Sequence, residues 1–277
     1  MRKKVVAFLR GFGNLWLVCG LAIGAQFLSV RLLPDLAAKL LAGVLLLVLY
    51  AFCVRWVEGV APADVRLRDL PGGLSAGVAL GIALFGSLMA ILWLARIYHP
   101  SGVSGWQVLP AALLSAVASA AFEEVVFRGF LFRLIAGLGG NWIALGVNSA
   151  LFGLAHIGNP HATWASSAAI AIEAGILLGA AYAASGTLWL PIGIHAGWNF
   201  AEGPVFGMEV SGHAGRAGWI GGYLAGPEIL TGGAFGPEAS IFAMAVCLPL
   251  AAIYLRRMRR AASLQDAAMQ PAPQNGD

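Results

Sequence analysis

Two adjacent glutamates and an arginine lie within the otherwise apolar stretch AFEEVVFRGFLF, residues 121–132. Ionisable groups at membrane depth cost several kcal/mol and are functional candidates by default. Glu124 and Arg128 are four residues apart, so they share a helix face and can pair. Glu123 is rotated by about 100° from Glu124. One carboxylate can therefore be held by the arginine while the other faces a cavity, where it could act as a general base on water. The alternative is a purely structural ion pair that locks a helix bundle.

Further polar residues follow in two later apolar segments. His156 ends one of them, and His195 and Asn199 lie at positions i and i+4 of the other, so both project from one helix face. Gly193 and Gly197 are spaced so that a neighbouring helix can approach closely. These residues can either complete a reactive cavity with the glutamates or serve as structural hydrogen bonds between helices.

The composition is that of a membrane protein. Of the 277 residues, 59% are hydrophobic and 11% are charged, whereas about a quarter of the residues are charged in a soluble domain. The formal net charge of +4 comes largely from basic residues at the two chain ends. That distribution is typical of cytoplasmic flanks and does not indicate nucleic-acid binding. The lipid bilayer is the first predicted partner.

The hydrophobic pattern predicts an all-α, polytopic bundle of about eight transmembrane helices around a polar cavity, because about 20 apolar residues span a bilayer. We expect a single transmembrane domain over residues 1–260 and a disordered cytoplasmic tail over 261–277. The Gly-rich stretch 207–238 is interpreted as a long loop on the far side, and both termini as cytoplasmic. The predicted segments are 12–33, 36–57, 73–97, 107–136, 141–158, 164–184, 187–206 and 239–255.

The order of these polar residues resembles a known family. The motifs are EExxxR, FxxxH and HxxxN, in that order on three separate apolar helices, formed by Glu123, Glu124, Arg128, Phe152, His156, His195 and Asn199. They are similar to those of the CPBP family, which contains CAAX proteases and bacteriocin-processing enzymes and is also called Abi or type II CAAX prenyl endopeptidase-like. The resemblance covers residues 107–200, the expected catalytic core.

The resemblance implies an intramembrane endopeptidase in a prokaryotic inner membrane, acting on a membrane-associated or prenylated protein or peptide. It implies that Glu123 is the catalytic glutamate and that Glu124 and Arg128 support it. On this basis we expect Glu123 with His156 to activate water, and His195 with Asn199 to stabilise the oxyanion. Zinc, bound by Glu123, His156 and His195, is left open as a cofactor, because two His and a Glu suit zinc but no HExxH motif is present. The resemblance implies no other cofactor.

A second class of function stays open at this point. A non-enzymatic transporter or membrane scaffold could use the same polar residues as a buried relay. Glu173, a further carboxylate in an apolar segment, has no assigned role. His161 and His213 fall in predicted loops and are interpreted as solvated.

Overall fold

The computed structural model describes residues 13, 17, 20, 21, 34–215 and 218–268, with side chains described up to residue 260. The first predicted segment, 12–33, thus lies largely outside the described residues. In chain order the α-helices are α1 (Asp35–Phe52), α2 (Leu70–Leu94), α3 (Leu109–Glu124), α4 (Arg133–Ala155), α5 (Trp164–Ile170), α6 (Ile176–Ser185), α7 (Trp189–Phe200), α8 (Glu228–Thr231) and α9 (Ile241–Ala268).

Wide π-helical turns extend or join several of these helices. They follow α1, connect α3 to α4, connect α5 to α6, and follow α7; their bounds are Cys53–Val57, Val125–Phe132, Ala171–Gly175 and Ala201–Val205. Inside α4, Gly140 adopts φ 82° and ψ 171°, which breaks the helix. The break falls between the predicted segments 107–136 and 141–158, at a position where glycine is the residue best able to take a positive φ.

The predicted fold class, an all-α membrane bundle, is confirmed. Within the described residues, five helices are long and apolar enough to cross a membrane: Asp35–Val57, Leu67–Leu94, Trp106–Gly158, Trp164–Ser185 and Ile241–Arg260. The stretch from Trp106 to Gly158 has 53 residues, is broken at Gly140, and contains both the fourth and the fifth predicted segments.

Helix α7 is buried on nearly all sides and forms the centre of the bundle. Glycines bring α2 against it: a Cβ added to Gly77 would lie 2.7 Å from the Cα of Gly193, and one added to Gly193 would lie 2.8 Å from the Cα of Gly77. Neither site tolerates a side chain without moving a backbone. This close packing is the kind that the small residues of α7 predict, and it fixes the helix that carries His195 and Asn199.

A polar clamp outside the central helix fixes the turn between α3 and α4. The Tyr50 hydroxyl lies 2.6 Å from Asp64 Oδ2 and 3.1 Å from the carbonyl oxygen of Gly129, and the Tyr182 hydroxyl donates to the same Asp64 oxygen at 2.9 Å. Arg133 donates to the carbonyl of Gly129 at 2.9 Å. These bonds tie the loop after α1 to the π-helical turn that carries Arg128.

Two features differ from the predictions. Strands β1 (Tyr98–Val103) and β2 (Ile220–Leu224) pair antiparallel, so part of the stretch 207–238 forms a sheet with a loop more than a hundred residues earlier. Helix α9 continues to Ala268, past the expected start of the disordered tail at residue 261. The added residues, AASLQDAA, are mostly good helix formers, which explains the extension; residues 269–277 lie outside the described part of the chain.

Candidate active site

The ion pair at the end of α3 forms as its spacing predicts. Arg128 Nη1 lies 2.9 Å from Glu124 Oε1, and both side chains are fully buried. Arg128 Nη2 also donates to the carbonyl oxygens of Ala174 and Gly175, at 3.4 Å and 3.3 Å. Both carbonyls belong to the π-helical turn between α5 and α6. The arginine thus joins the motif helix to the neighbouring helix pair as well as neutralising a carboxylate.

His195 on α7 is held by the same carboxylate. Its Nδ1 lies 2.9 Å from Glu124 Oε1. Since an ionised carboxylate only accepts hydrogen bonds, Nδ1 carries the proton and Nε2 is left to face the other way. There it lies 4.0 Å from Glu123 Oε2. Arg128, Glu124 and His195 therefore form a chain that orients one imidazole nitrogen toward Glu123.

His156 is oriented by the backbone. Its Nδ1 lies 2.8 Å from the carbonyl oxygen of Phe152, one helical turn earlier. Because that oxygen can only accept, Nδ1 is the donor, and among the described residues Nε2 has no hydrogen-bond partner. The ring of Phe152 lies 4.8 Å from the His156 ring, 6.1 Å from the His195 ring and 4.4 Å from the Arg128 guanidinium carbon. The phenylalanine of the FxxxH motif thus packs between all three cationic or imidazole groups and fixes their spacing.

Glu123 faces a cleft, in contrast to its buried neighbour. Its side chain is 30% exposed, against 0% for Glu124. The cleft has a volume of about 410 Å³ and is lined by Ser119, Glu123, Phe127, Ala155, His156, Asn159, Asn199, Val210, Ser211 and His213. One cleft is therefore lined by three of the predicted site residues, Glu123, His156 and Asn199. His195 does not line this cleft, but its Nε2 lies next to Glu123, which does.

A second, smaller cavity of about 30 Å³ lies beside the first. It shares His156, Asn199 and Ser211 with the cleft and adds His195, Glu173 and Glu238. This volume is enough for a water molecule. The structure thus brings together all the motif residues, and it places Glu173, unassigned from sequence, on the wall of the adjoining cavity.

Sequence reasoning missed three residues of this region. Ser211 and Glu238 come from the stretch interpreted as a far-side loop, and Glu202 follows α7 as part of its π-helical turn. Ser211 has φ 50°, a left-handed conformation that is unusual outside glycine, and the Asn159 amide donates to its carbonyl at 3.0 Å. The pattern of apolar positions does not indicate Ser211 or Glu238. Glu202 is indicated only by being a carboxylate near the end of an otherwise apolar segment.

The residues named for a metal do not form a metal site. Among the residues that the structure describes, no three His, Cys, Asp or Glu side chains come together closely enough to hold an ion. Glu123, His156 and His195 are included in that search, so no chemical step is assigned here to a metal.

Comparison with known proteins identifies the segment that carries this site. Residues 105–201 match the family model described as Rce1-like, type II CAAX prenyl endopeptidase Rce1-like. The match runs from just before α3 to just after α7 and contains every motif residue, so the family resemblance stated from the motifs is confirmed. No curated protein matches the chain. No solved structure matches it. The apolar helices describe an integral membrane protein, and its segment 105–201 is similar to this family.

Proposed function

We propose that the protein is a glutamate-type intramembrane endopeptidase, which hydrolyses a peptide bond of a membrane-associated substrate in the cleft lined by Glu123. One observation carries the proposal: Glu123 Oε2 lies 4.0 Å from a His195 nitrogen that is oriented by Glu124. Two polar groups at that separation are too far apart for a direct hydrogen bond but can hold one water between them.

In this mechanism Glu123 takes a proton from the bound water as the oxygen attacks the scissile carbonyl. The chain Arg128–Glu124–His195 fixes the tautomer of His195, in the way that a buried carboxylate orients the histidine of a hydrolytic triad. His195 Nε2 then stays directed at the water and at the charge that develops next to it. Geometry therefore favours His195 as the histidine that acts together with Glu123.

His156 and Asn199 line the same cleft and are available to act on the departing amine and on the oxyanion. The Nε2 of His156 is free, so the protonated ring can give a proton to the departing amine. The side-chain amide of Asn199 can donate to the oxyanion, and preorganised donors of this kind usually give the largest catalytic contribution. From the sequence we expected Glu123 to act with His156. We pair it with His195 instead, because His195 Nε2 lies 4.0 Å from Glu123 Oε2.

The substrate class follows from the family and from the location of the site. The cleft opens within a helix bundle, so a substrate reaches it from the membrane or its surface, and the matched family is described as a prenyl endopeptidase. We propose a protein or peptide substrate, with a prenyl group as one candidate anchor and no nucleic acid. With the eight crossings that the sequence predicts and basic residues at both ends, the protein would lie in the inner membrane of a prokaryotic cell with both termini in the cytoplasm.

The test is cleavage of a labelled peptide, with and without a farnesyl group, by detergent-purified protein. Glu123→Gln keeps the shape of the side chain but cannot take the proton from water, so we expect a loss of about 10²–10⁴-fold in kcat. Glu228→Gln, at an exposed position on α8, is the matched control and should keep full activity. Size-exclusion behaviour checks that each variant is folded.

The outcomes separate the two functional classes. Full activity of Glu123→Gln would remove this residue as the base. Absence of cleavage by the unaltered protein on every membrane-associated peptide tested would favour the transporter or scaffold alternative.

A further inference from the structure

Three buried carboxyl groups lie beyond the motif residues, on the inner side of the site. Glu173, Glu202 and Glu238 have exposed fractions of 2%, 0% and 3%. Within the described part of the chain none of them forms an ion pair with a lysine or arginine. Glu202 and Glu238 lie within reach of each other, and Glu238 within reach of Ser211, but both oxygens of Glu202 and Oε1 of Glu238 lack a partner with full hydrogen-bond geometry. An unpaired buried carboxylate is costly, so charge is best avoided here by keeping these groups protonated.

Of the three, Glu238 is connected most directly to the motif residues. It lines the same small cavity as His156 and Ser211. Ser211 in turn lines both this cavity and the larger cleft. Burial raises the pKa of Glu238 above its ordinary value of 4.5, and the opposing influences are hydrogen bonding with Ser211 and the positive charge of His156.

The other acidic groups that face Glu238 are Glu202 at the end of α7 and Glu173 between α5 and α6. The helices packed against the turn of Glu238 are α5, α8 and α9. Of these, α8 carries the exposed Glu228, and α9 carries Cys247, whose thiol donates to Glu173 Oε2 at 3.2 Å. Neither acidic neighbour supplies a positive charge. His156 is therefore the partner whose protonation would stabilise a Glu238 carboxylate.

We propose that Glu238 is a positioning residue that supplies a proton to His156 across the small cavity, so that His156 can protonate the departing amine. This inference rests on the proposed function. The proton leaves the Glu238 carboxyl and is bound by His156 Nε2, directly or through one water, giving a carboxylate and an imidazolium. The net charge of the buried site is unchanged by this transfer, and the carboxylate and imidazolium that it creates attract each other strongly in a poorly solvated interior.

The cycle balances in protons. Glu123 gains one proton from the attacking water while the carbon–oxygen bond forms. His156 loses one proton to the amine nitrogen while the carbon–nitrogen bond breaks. Glu238 resupplies His156 and is then reprotonated by the proton that Glu123 took up, which reaches it through the water of the cleft and of the small cavity, so no oxidant or other co-reactant is needed.

The decisive experiment compares two replacements with opposite defects. Glu238→Gln keeps the size of the side chain but carries no transferable proton, whereas Glu238→Asp is shorter but carries one. We expect Glu238→Gln to lower kcat about 10-fold or more with little change in KM, and Glu238→Asp to retain more activity than Glu238→Gln. Glu228→Gln is the control, because Glu228 is an exposed carboxyl on α8 that lines neither cavity, and it should keep its kcat.

The pH profile gives a second readout that a structural role would not move. If Glu238 supplies the proton, the fall of kcat at high pH should begin at lower pH in Glu238→Gln than in the unaltered protein. A purely structural Glu238 predicts the reverse order of the two variants, with Gln better tolerated than Asp, and an unchanged pH profile. Either of those results overturns the inference.

Stability against pH tests the protonated state without any cleavage assay. A carboxyl that holds its proton when folded and releases it when unfolded stabilises the protein fully below about 4.5, and the stabilisation is lost as pH rises toward the folded-state pKa. The free energy of unfolding should therefore fall less steeply with rising pH in Glu238→Gln. An identical slope overturns the inference even where no substrate is known, whereas absence of cleavage by the unaltered protein overturns only the proposed function.

Discussion

Replacing Arg128 with alanine should destabilise the protein by about 3 kcal/mol, near the lower end of the range for breaking a buried ion pair. The guanidinium is fully buried and forms one ion pair at 2.9 Å and two longer bonds to carbonyl oxygens. Its loss leaves the Glu124 carboxylate in the interior with only the hydrogen bond from His195. That remaining bond is the reason for choosing the lower end of the range.

The size of this effect can be set against an exposed pair in the same protein. Arg68 lies 3.6 Å from Asp69, with side chains 74% and 39% exposed, and exposed pairs contribute about 0–1 kcal/mol. Arg68→Ala is thus the matched control. Arg128→Lys should fall between the two, because lysine keeps the charge but lacks the planar fork that reaches Glu124 and the two carbonyls together.

The assay is reversible unfolding in mixed micelles, followed by tryptophan fluorescence as the denaturing detergent fraction is raised. A loss of about 3 kcal/mol corresponds to roughly a hundredfold change in the unfolding equilibrium constant. If Arg128→Ala unfolded within 1 kcal/mol of the unaltered protein, as Arg68→Ala should, the pair would not be the lock between the motif helix and its neighbours.

Two further predictions concern packing and metal dependence. Gly77→Ala should destabilise by about 1–3 kcal/mol in the same unfolding assay, since the added Cβ would lie 2.5 Å from the carbonyl oxygen of Leu190 and 2.7 Å from Gly193; Gly86→Ala on the same helix, with nothing within 4 Å, should be neutral or slightly stabilising. Peptide cleavage should be unaffected by a strong chelator, because no three donor side chains in the described chain form a metal-binding group; loss of activity that zinc restores would contradict the glutamate-type mechanism.

Local spacing was enough to predict part of the site. The pairing of Glu124 with Arg128 depends only on a helical period, and so does the placement of His195 and Asn199 on one face. The apolar segments likewise predicted the helices, because the bilayer sets their length. The link between α3 and α7 was different: Glu124 and His195 are far apart in sequence, and only the family motifs suggested that they meet.

The remaining features depend on contacts that no local pattern contains. The pairing of Tyr98–Val103 with Ile220–Leu224 is long-range, and half of it lies in a stretch so rich in glycine that a loop was the natural interpretation. The burial of Glu238 could not be predicted for the same reason, because it is created by the packing of that stretch against α5 and α9. The π-helical turns also have no period that a sequence read at 3.6 residues per turn can reveal.

The turn at Val125–Phe132 makes the chain tolerant of a change in length at this point. A π-helical turn contains more residues than an α-helical one, so deleting one residue after Arg128 would allow ordinary α-helical bonding to resume. The residues that follow would keep their helical phase, and Arg133 would still face Glu58, its partner at 2.9 Å through Nη2. Deleting one residue from the α-helical part of α3 would instead rotate everything after it by about 100°. The π-helical turn is thus the place in this helix where a change of one residue in length disturbs the rest of the bundle least.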